Sequence, residues 1–383
     1  MLSPHPVVAR VELLLTSMPF SAERRLTSDE SIDEYNASSQ SFTHMESLMV
    51  KVHDSQGRVG WGEAFGHRSN PASWAALEST VGPFALGRNT DPTAFRREAE
   101  YAFHAFGRTG PVHFALSAMD TALWDLAAQA QGKPLRRLIA EELETGAADR
   151  ISCYASLVHY GEEPQEVAHH ICRAQQSGFG SFKLHESTPE AVGAARLQAG
   201  PDAALMTDVN CHWDEAGAAQ ALEEFLPYDL HWLEEPVFPP DDSSALVRLN
   251  VSSGRIAAGE NASGTLGMIH QIESGAVSFA QPSVGKIGGI SAMLEVIRTA
   301  RALDVPVVPH CFYYGPALNA SAEIVAALGP EVQLEAPFLT WPQRLHQLHG
   351  PAPVIKLSDG PGLNFVTDEM VLAEHLVRSA TIG

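Results

Sequence analysis

ALMTDVN (204–210), LHWLEEP (230–236) and RIAAGEN (255–261) are three short apolar runs, each carrying an acid at its end: Asp208, Glu234 and Glu260. The acids stand 26 residues apart, at 208, 234 and 260. Each run reads as a buried parallel strand, and the chain between runs is long enough for a helix and its loops. One carboxylate therefore sits at the C-terminal end of each of three successive β/α units. In a (β/α)8 barrel all such ends open on one face, so the three converge. Three carboxylates without histidine or cysteine form a hard oxygen donor set that suits Mg2+. The alternative for each acid alone is a helix N-cap, common at strand–helix junctions. Equal spacing at three junctions argues against it.

The same period continues outward. ISCYASL (151–157), SFKLH (181–185), AVSFAQPS (276–283), VPVVPH (305–310) and VQLEAPF (332–338) complete eight strand-like runs. Their spacing is about 25 residues, with helical stretches between them, as a parallel barrel requires. The first 130 or so residues differ. VARVELLLTSM (8–18) reads as a strand and SLMVKVHDSQGRVGWGEAF (47–65) as a hairpin around DSQG. Helices are expected near 73–83, 91–106 and 110–130, which makes an α+β module. The polar segment 21–45 is either disordered or a lid. The tail from 345 does not extend the β/α pattern and is expected to pack back on the N-terminal module.

The chain's 383 residues suffice for a barrel plus a second module. With 46 acidic against 25 basic residues the formal charge is −21, which argues against nucleic acid or an anionic membrane as partner. The opening MLSPHPVVARVELLL lacks a basic region before a long apolar stretch, so no leader is expected. Cys153, Cys172, Cys211 and Cys311 show no metal or redox spacing, and reduced thiols in a cytoplasmic enzyme are the expectation.

The remaining strand ends carry the chemistry. Lys183 and His185 are two apart and share one strand face, the lumen side of a barrel. The ammonium is expected to lower the imidazole's pKa and favour its neutral, basic form. Asp208 and Asn210 share a face in the same way. In LEEP, Glu234 and Glu235 point opposite ways, and the spacing selects Glu234 for the lumen. Asn261 stands beside Glu260. Lys286 precedes the two glycines of KIGG, while His310 and Glu335 close the seventh and eighth runs. Each of these alone is as readily a solvated or structural group; facing the acidic trio changes that weighting.

Taken together, MDTALWDLAAQAQGKPL, SFKLH, TDVN, WLEEP, AGEN, KIGG, VPH and LEAPF, in that order, resemble the enolase superfamily in its mandelate racemase/muconate lactonizing enzyme branch. The resemblance implies a modified barrel of the (β/α)7β type under an α+β capping domain. It divides the chain into a capping domain (1–130), a barrel (131–344) and a C-terminal segment returning to the cap (345–383). It implies removal of the proton alpha to a carboxylate, with Mg2+ held by Asp208, Glu234 and Glu260. Lys183 and His185 take the positions of the family's Lys-x-Lys motif, and the second, usually the base, is here a histidine. His310 matches the histidine of the mandelate racemase subgroup. Glu335 matches the acid that hydrogen-bonds the substrate carboxylate, sharing or donating a proton. The subgroup's aspartate partner for that histidine is here Ser283, whose hydroxyl can orient an imidazole but cannot stabilise its cation.

Dehydration of an acid sugar to a 2-keto-3-deoxy acid is the favoured activity, with His185 as base and His310 as acid. Racemisation or epimerisation, and lactone cycloisomerisation, are alternatives, and a Mg2+-binding homologue without turnover is another. The expected partner is a small polyhydroxylated carboxylate, and the chain is expected to form a homo-oligomer. Asn210, Lys286, Arg24 and Tyr313 are candidate substrate contacts, with Arg25, His67, Arg68 and Tyr314 as further candidates for its distal end.

Overall fold

The structure, a computed structural model, describes residues 6–25, 43–348 and 352–383. Residues 26–42, most of the polar 21–45 segment, lie outside the described residues, as does the side chain of His67. The N-terminal strands are β1 (Val8–Pro19), β2 (His44–Asp54) and β3 (Val59–Ala64). The barrel strands are β4 (Arg150–Ser156), β5 (Ser181–Leu184), β6 (Ala204–Asp208), β7 (Leu233–Glu234), β8 (Ile256–Ala258), β9 (Phe279–Ala280) and β10 (Leu334–Pro337). Two strands of the tail follow, β11 (Val354–Lys356) and β12 (Leu376–Ile382).

The seven barrel strands form one parallel sheet in the order β10-β4-β5-β6-β7-β8-β9. Helices on the outside connect them, among them Pro164–Gln176, Pro189–Ala199 and Glu215–Phe225. After the acidic trio the N-cap positions lie further along the chain: Asp214 accepts from Gly217 N, Asp242 from Ala245 N, and Ser263 stands at the N-cap of Gly264–Glu273. Asp208, Glu234 and Glu260 are therefore not the capping groups of these junctions. The expected strand 305–310 is not a strand. It meets β9 and its extension only through the isolated bridges Ala280–Val307 and Ser283–His310. Pro306 and Pro309 bring no N–H to a ladder, which accounts for the interruption. Cys311 N donates to Glu335 on β10 (2.6 Å) and ties this segment to the other edge of the sheet. The result is the modified (β/α)7β architecture.

Inside the sheet, Tyr154, Met206, Trp232, Ala257 and Val308 pack into an apolar layer. Two residues further along their own segments stand Ser156, Asp208, Glu234 and His310. Period-2 alternation thus puts polar groups on top of an apolar floor that closes the lumen.

The capping sheet is antiparallel, in the order β12-β1-β2-β3. Helix Pro111–Ala130 packs between it and the barrel, buried on nearly every side. Its approach to β3 needs glycine: a Cβ on Gly62 would lie 1.9 Å from Ala118 O, and one on Gly60 would lie 2.1 Å from Ala122 O. The tail contributes to both sheets, β12 pairing with β1 and β11 with β4. Among the described residues no helix is long and apolar enough to cross a membrane.

Candidate active site

Lys183 stands at the centre of the lumen, 1% exposed. Its ammonium lies 2.8 Å from Glu335, 2.9 Å from Glu234 and 3.3 Å from Asp208. Burial alone would lower its pKa, but these carboxylates outweigh burial and hold it well above the ordinary value. Asp208 and Glu234 are direct neighbours across β6 and β7. Glu234 is held further by Trp232 Nε1 (2.9 Å) and Gln281 Nε2 (2.8 Å), both donating to Oε2. Burial, and then the charge of Asp208, push its pKa up.

Glu260 is engaged separately. Its Oε2 lies 2.5 Å from His310 Nε2, and its Oε1 lies 3.6 Å from Lys286 Nζ. The trio thus faces one lumen, with Asp208 and Glu234 sharing the Lys183 ammonium and Glu260 turned to His310 and Lys286. Among the described residues no group of three or more His, Cys, Asp or Glu side chains is arranged as a ready-made metal cage.

His185 corrects one expectation. Its pKa is raised, not lowered. Burial works to lower it, but the hydrogen bond and charge of Asp208, with Nε2 at 3.6 Å, prevail over burial and over the Lys183 ammonium. The Lys183 charge is spent on three carboxylates. His185 Nδ1 donates to Leu157 O, which fixes the tautomer and leaves Nε2 as the lone-pair nitrogen of the neutral ring.

His310 is also raised, by Glu260 and Glu335 against burial. Its Nδ1 is buried without a partner among the described residues. Ser283 does not supply one: its hydroxyl pairs with the Tyr313 hydroxyl instead. Glu335 corrects a second expectation. Burial would raise its pKa, but Lys183, His310 and Cys311 N prevail, and it stays an ionised acceptor. Ser156 Oγ donates to Oε1 (2.7 Å), and Cys311 N donates to Oε2. It has no proton to share.

Of the candidate substrate contacts, Lys286 and Tyr313 lie at the site, and Asn210 N donates to Asp208 (3.0 Å). Arg24 reaches the rim through His159 O (2.7 Å), whose ring in turn meets His185 O. Arg25 pairs with Glu166 on an outer helix, and Tyr314 stacks on Trp341 at 3.6 Å. Neither contact joins the acidic cluster.

Several site residues escaped the sequence reading. Phe65, from the capping module, lies under the Lys286 ammonium at 4.1 Å. Ser156, Trp232 and Gln281 orient carboxylates. Glu235 is buried rather than turned outward: its φ of +45° ends the alternation and swings the carboxylate to Asn261 Nδ2, 2.7 Å away. The doubled acid in LEEP was the available signal.

The comparisons with known proteins bear on the family and the fold. A family described as "Enolase C-terminal domain-like" matches residues 166–371, and "Mandelate racemase / muconate lactonizing enzyme, N-terminal domain" matches 27–140. The chain is 28% identical over 364 residues to D-gluconate dehydratase of Thermoproteus tenax, covering 88% of this chain and 71% of that one. It is 28% identical over 369 residues to D-galactarolactone cycloisomerase of Agrobacterium fabrum, covering 89% and 94%. In fold it matches a racemase from Streptomyces coelicolor A3(2) with bound magnesium, at TM-score 0.83 and 23% identity over 97% of this chain and 100% of that one. It also matches L-talarate/galactarate dehydratase from Salmonella typhimurium LT2 liganded with Mg and L-lyxarohydroxamate, at TM-score 0.83 and 23% identity over 99% and 95%. The relatives are acid sugar dehydratases, cycloisomerases and racemases, and an enzyme is what this chain resembles throughout. From capping sheet to lumen, the chain belongs to the mandelate racemase/muconate lactonizing enzyme branch of the enolase superfamily.

Proposed function

We propose that this chain is a Mg2+-dependent hydro-lyase that removes the proton alpha to a carboxylate and dehydrates an acid sugar to a 2-keto-3-deoxy acid. The observation that carries the reading is the pair of imidazoles around one carboxylate layer. His185 extends from β5 and His310 from the segment bridging β9, non-adjacent positions of the sheet. They meet different acids, Asp208 and Glu260.

Magnesium fits the donor chemistry. Asp208, Glu234 and Glu260 offer hard oxygens, and Glu234, raised by burial and by Asp208, belongs to a layer short of positive charge. These three would hold the ion, which when bound supplies Lewis-acid stabilisation of charge developing on the substrate carboxylate. His185 Nε2 takes the alpha proton once the Asp208 charge that raises its pKa is engaged elsewhere. His310, whose raised pKa favours the imidazolium, delivers a proton to the beta-hydroxyl as it leaves as water. The resulting enol ketonises to the 2-keto acid. Glu335 keeps Lys183 in place as an ionised acceptor. Lys286, Asn210, Arg24 and Tyr313 are assigned to substrate contacts. Free cysteines at all four positions suit a reducing, cytoplasmic setting.

Cycloisomerisation is the second reading, favoured by the nearly full-length match to D-galactarolactone cycloisomerase. The test is a screen of mono- and diacid sugars with Mg2+ in D2O. Formation of a 2-keto acid supports dehydration. Deuterium at the alpha carbon with inversion and no keto acid supports a racemase or epimerase. Neither exchange nor turnover with any acid would make the chain a non-catalytic homologue.

A further inference from the structure

We propose that Asn261 is a positioning residue: its amide is a spacer that keeps the Lys286 ammonium off Glu260 Oε1, the oxygen not held by His310, so that Oε1 stays available to a divalent cation. The inference rests on the reading of Glu260 as a metal ligand. Lys286 Nζ donates to Asn261 Oδ1 at 2.9 Å but stands 3.6 Å from Glu260 Oε1. Asn261 Nδ2 donates to that same Oε1 at 2.9 Å and to Glu235 Oε2 at 2.7 Å. The amide is thus inserted between cation and anion.

Its orientation is fixed by charge. Turned by half a revolution, the NH2 group would face an ammonium and the carbonyl oxygen would face two carboxylates. Glu235 completes this lock: it is buried, and its Oε1 also accepts from Asn261 N at 3.3 Å. On the far side the Phe65 ring holds Lys286 at 4.1 Å, and Phe65 N donates to Gly285 O at 3.1 Å. Lys183 shows the alternative in the same lumen. With no amide between, it contacts three carboxylates directly at 2.8–3.3 Å. A direct ammonium–carboxylate contact of this kind is strong and would compete with a metal for Glu260.

The test uses the full chain and the variants N261A, K286M and N261A/K286M, read by Mg2+ titration calorimetry and by crystal structures of N261A and wild type. In N261A the Lys286–Glu260 separation should shorten to about 3 Å. The affinity for Mg2+ should weaken roughly tenfold, the scale of outer-sphere effects on metal sites. In the K286M background the same N261A change should cost nothing. An unchanged Lys286–Glu260 separation in N261A overturns the proposal, and so does an equal loss of affinity with and without Lys286. Failure of the wild type to bind Mg2+ would refute the metal reading itself, and the spacer then stands or falls on the distance alone. Should N261A not fold, E235A leaves the amide present but unlocked. A several-fold loss of affinity in E235A that K286M abolishes supports the spacer, and unchanged affinity in E235A overturns it.

Discussion

Glu63, on β3 of the capping module, offers a test of how this fold handles a buried acid. The carboxylate is enclosed, and Ala317 N, at the start of helix Pro316–Leu328, donates to its Oε2 at 2.9 Å. Burial raises its pKa from the ordinary 4.5 to about 7, and the Ala317 bond offsets only part of that. The folded state therefore binds this proton more tightly than the unfolded state. Stability from this group is fully present below the unfolded pKa, near 4.5, and is lost as pH rises to the folded value, near 7. The full loss is about 3 kcal/mol. Glu63→Gln keeps a carbonyl oxygen for Ala317 N and cannot ionise. Relative to wild type it should gain about 1 kcal/mol at pH 5 and about 3 kcal/mol at pH 8 from this source. Any misfit of the extra NH2 group adds the same offset at both values, so the change with pH is the quantity to read. Urea unfolding of both proteins from pH 5 to 8 measures it through the midpoint difference. A gap that fails to widen across this range refutes the reasoning, because Glu63 would then ionise as easily inside the fold as outside it.

Three further outcomes follow from the site. Lys183→Met leaves Asp208, Glu234 and Glu335 without their shared cation, so it should cost roughly 3–5 kcal/mol. Thermal melts would show this, with Mg2+ stabilising the variant more than wild type, and a variant as stable as wild type contradicts the assignment. His185→Asn should abolish deuterium exchange at the alpha carbon of an active substrate, whereas His310→Asn should block keto acid formation and leave exchange running; loss of both signals in His310→Asn would make His310 a base and favour epimerisation. Ser283→Ala should leave the pH–rate profile in place, since the Ser283 hydroxyl is bonded to Tyr313 and not to His310; a clear displacement of the profile would mean the two residues communicate.

What could be read from the sequence was whatever repeats. The β/α period locates strand ends, and a strand end puts its residues on the open face of a parallel sheet whatever the helices outside do. Asp208, Glu234 and Glu260 were legible for that reason, and so were Lys183, His310 and Glu335. The N-cap alternative looked equal for each acid alone. It fails in the structure because Asp214, Asp242 and Ser263 occupy the N-cap positions a few residues on. By contrast, β12 pairs with β1 across almost the whole chain, and nothing in either segment names its partner.

Sequence neighbours stop being a guide at two levels, the backbone and the allocation of charge. Alternation along a strand is a statement about extended backbone, and it stops being valid at the residue where the strand ends. Glu235 sits at that residue: with φ at +45° it leaves the pleat, and a side chain assigned to the outer face returns to the site. The sign of the His185 shift went wrong one level higher. A lysine two residues away lowers an imidazole's pKa only if its charge is free to act there. Lys183 is shared among three carboxylates, while Asp208, 25 residues further on, faces His185 directly. Neighbours in sequence gave the inventory of charges in this lumen. Which cation answers which carboxylate depends on contacts between strand ends, and the acid–base roles of His185 and His310 follow from that allocation.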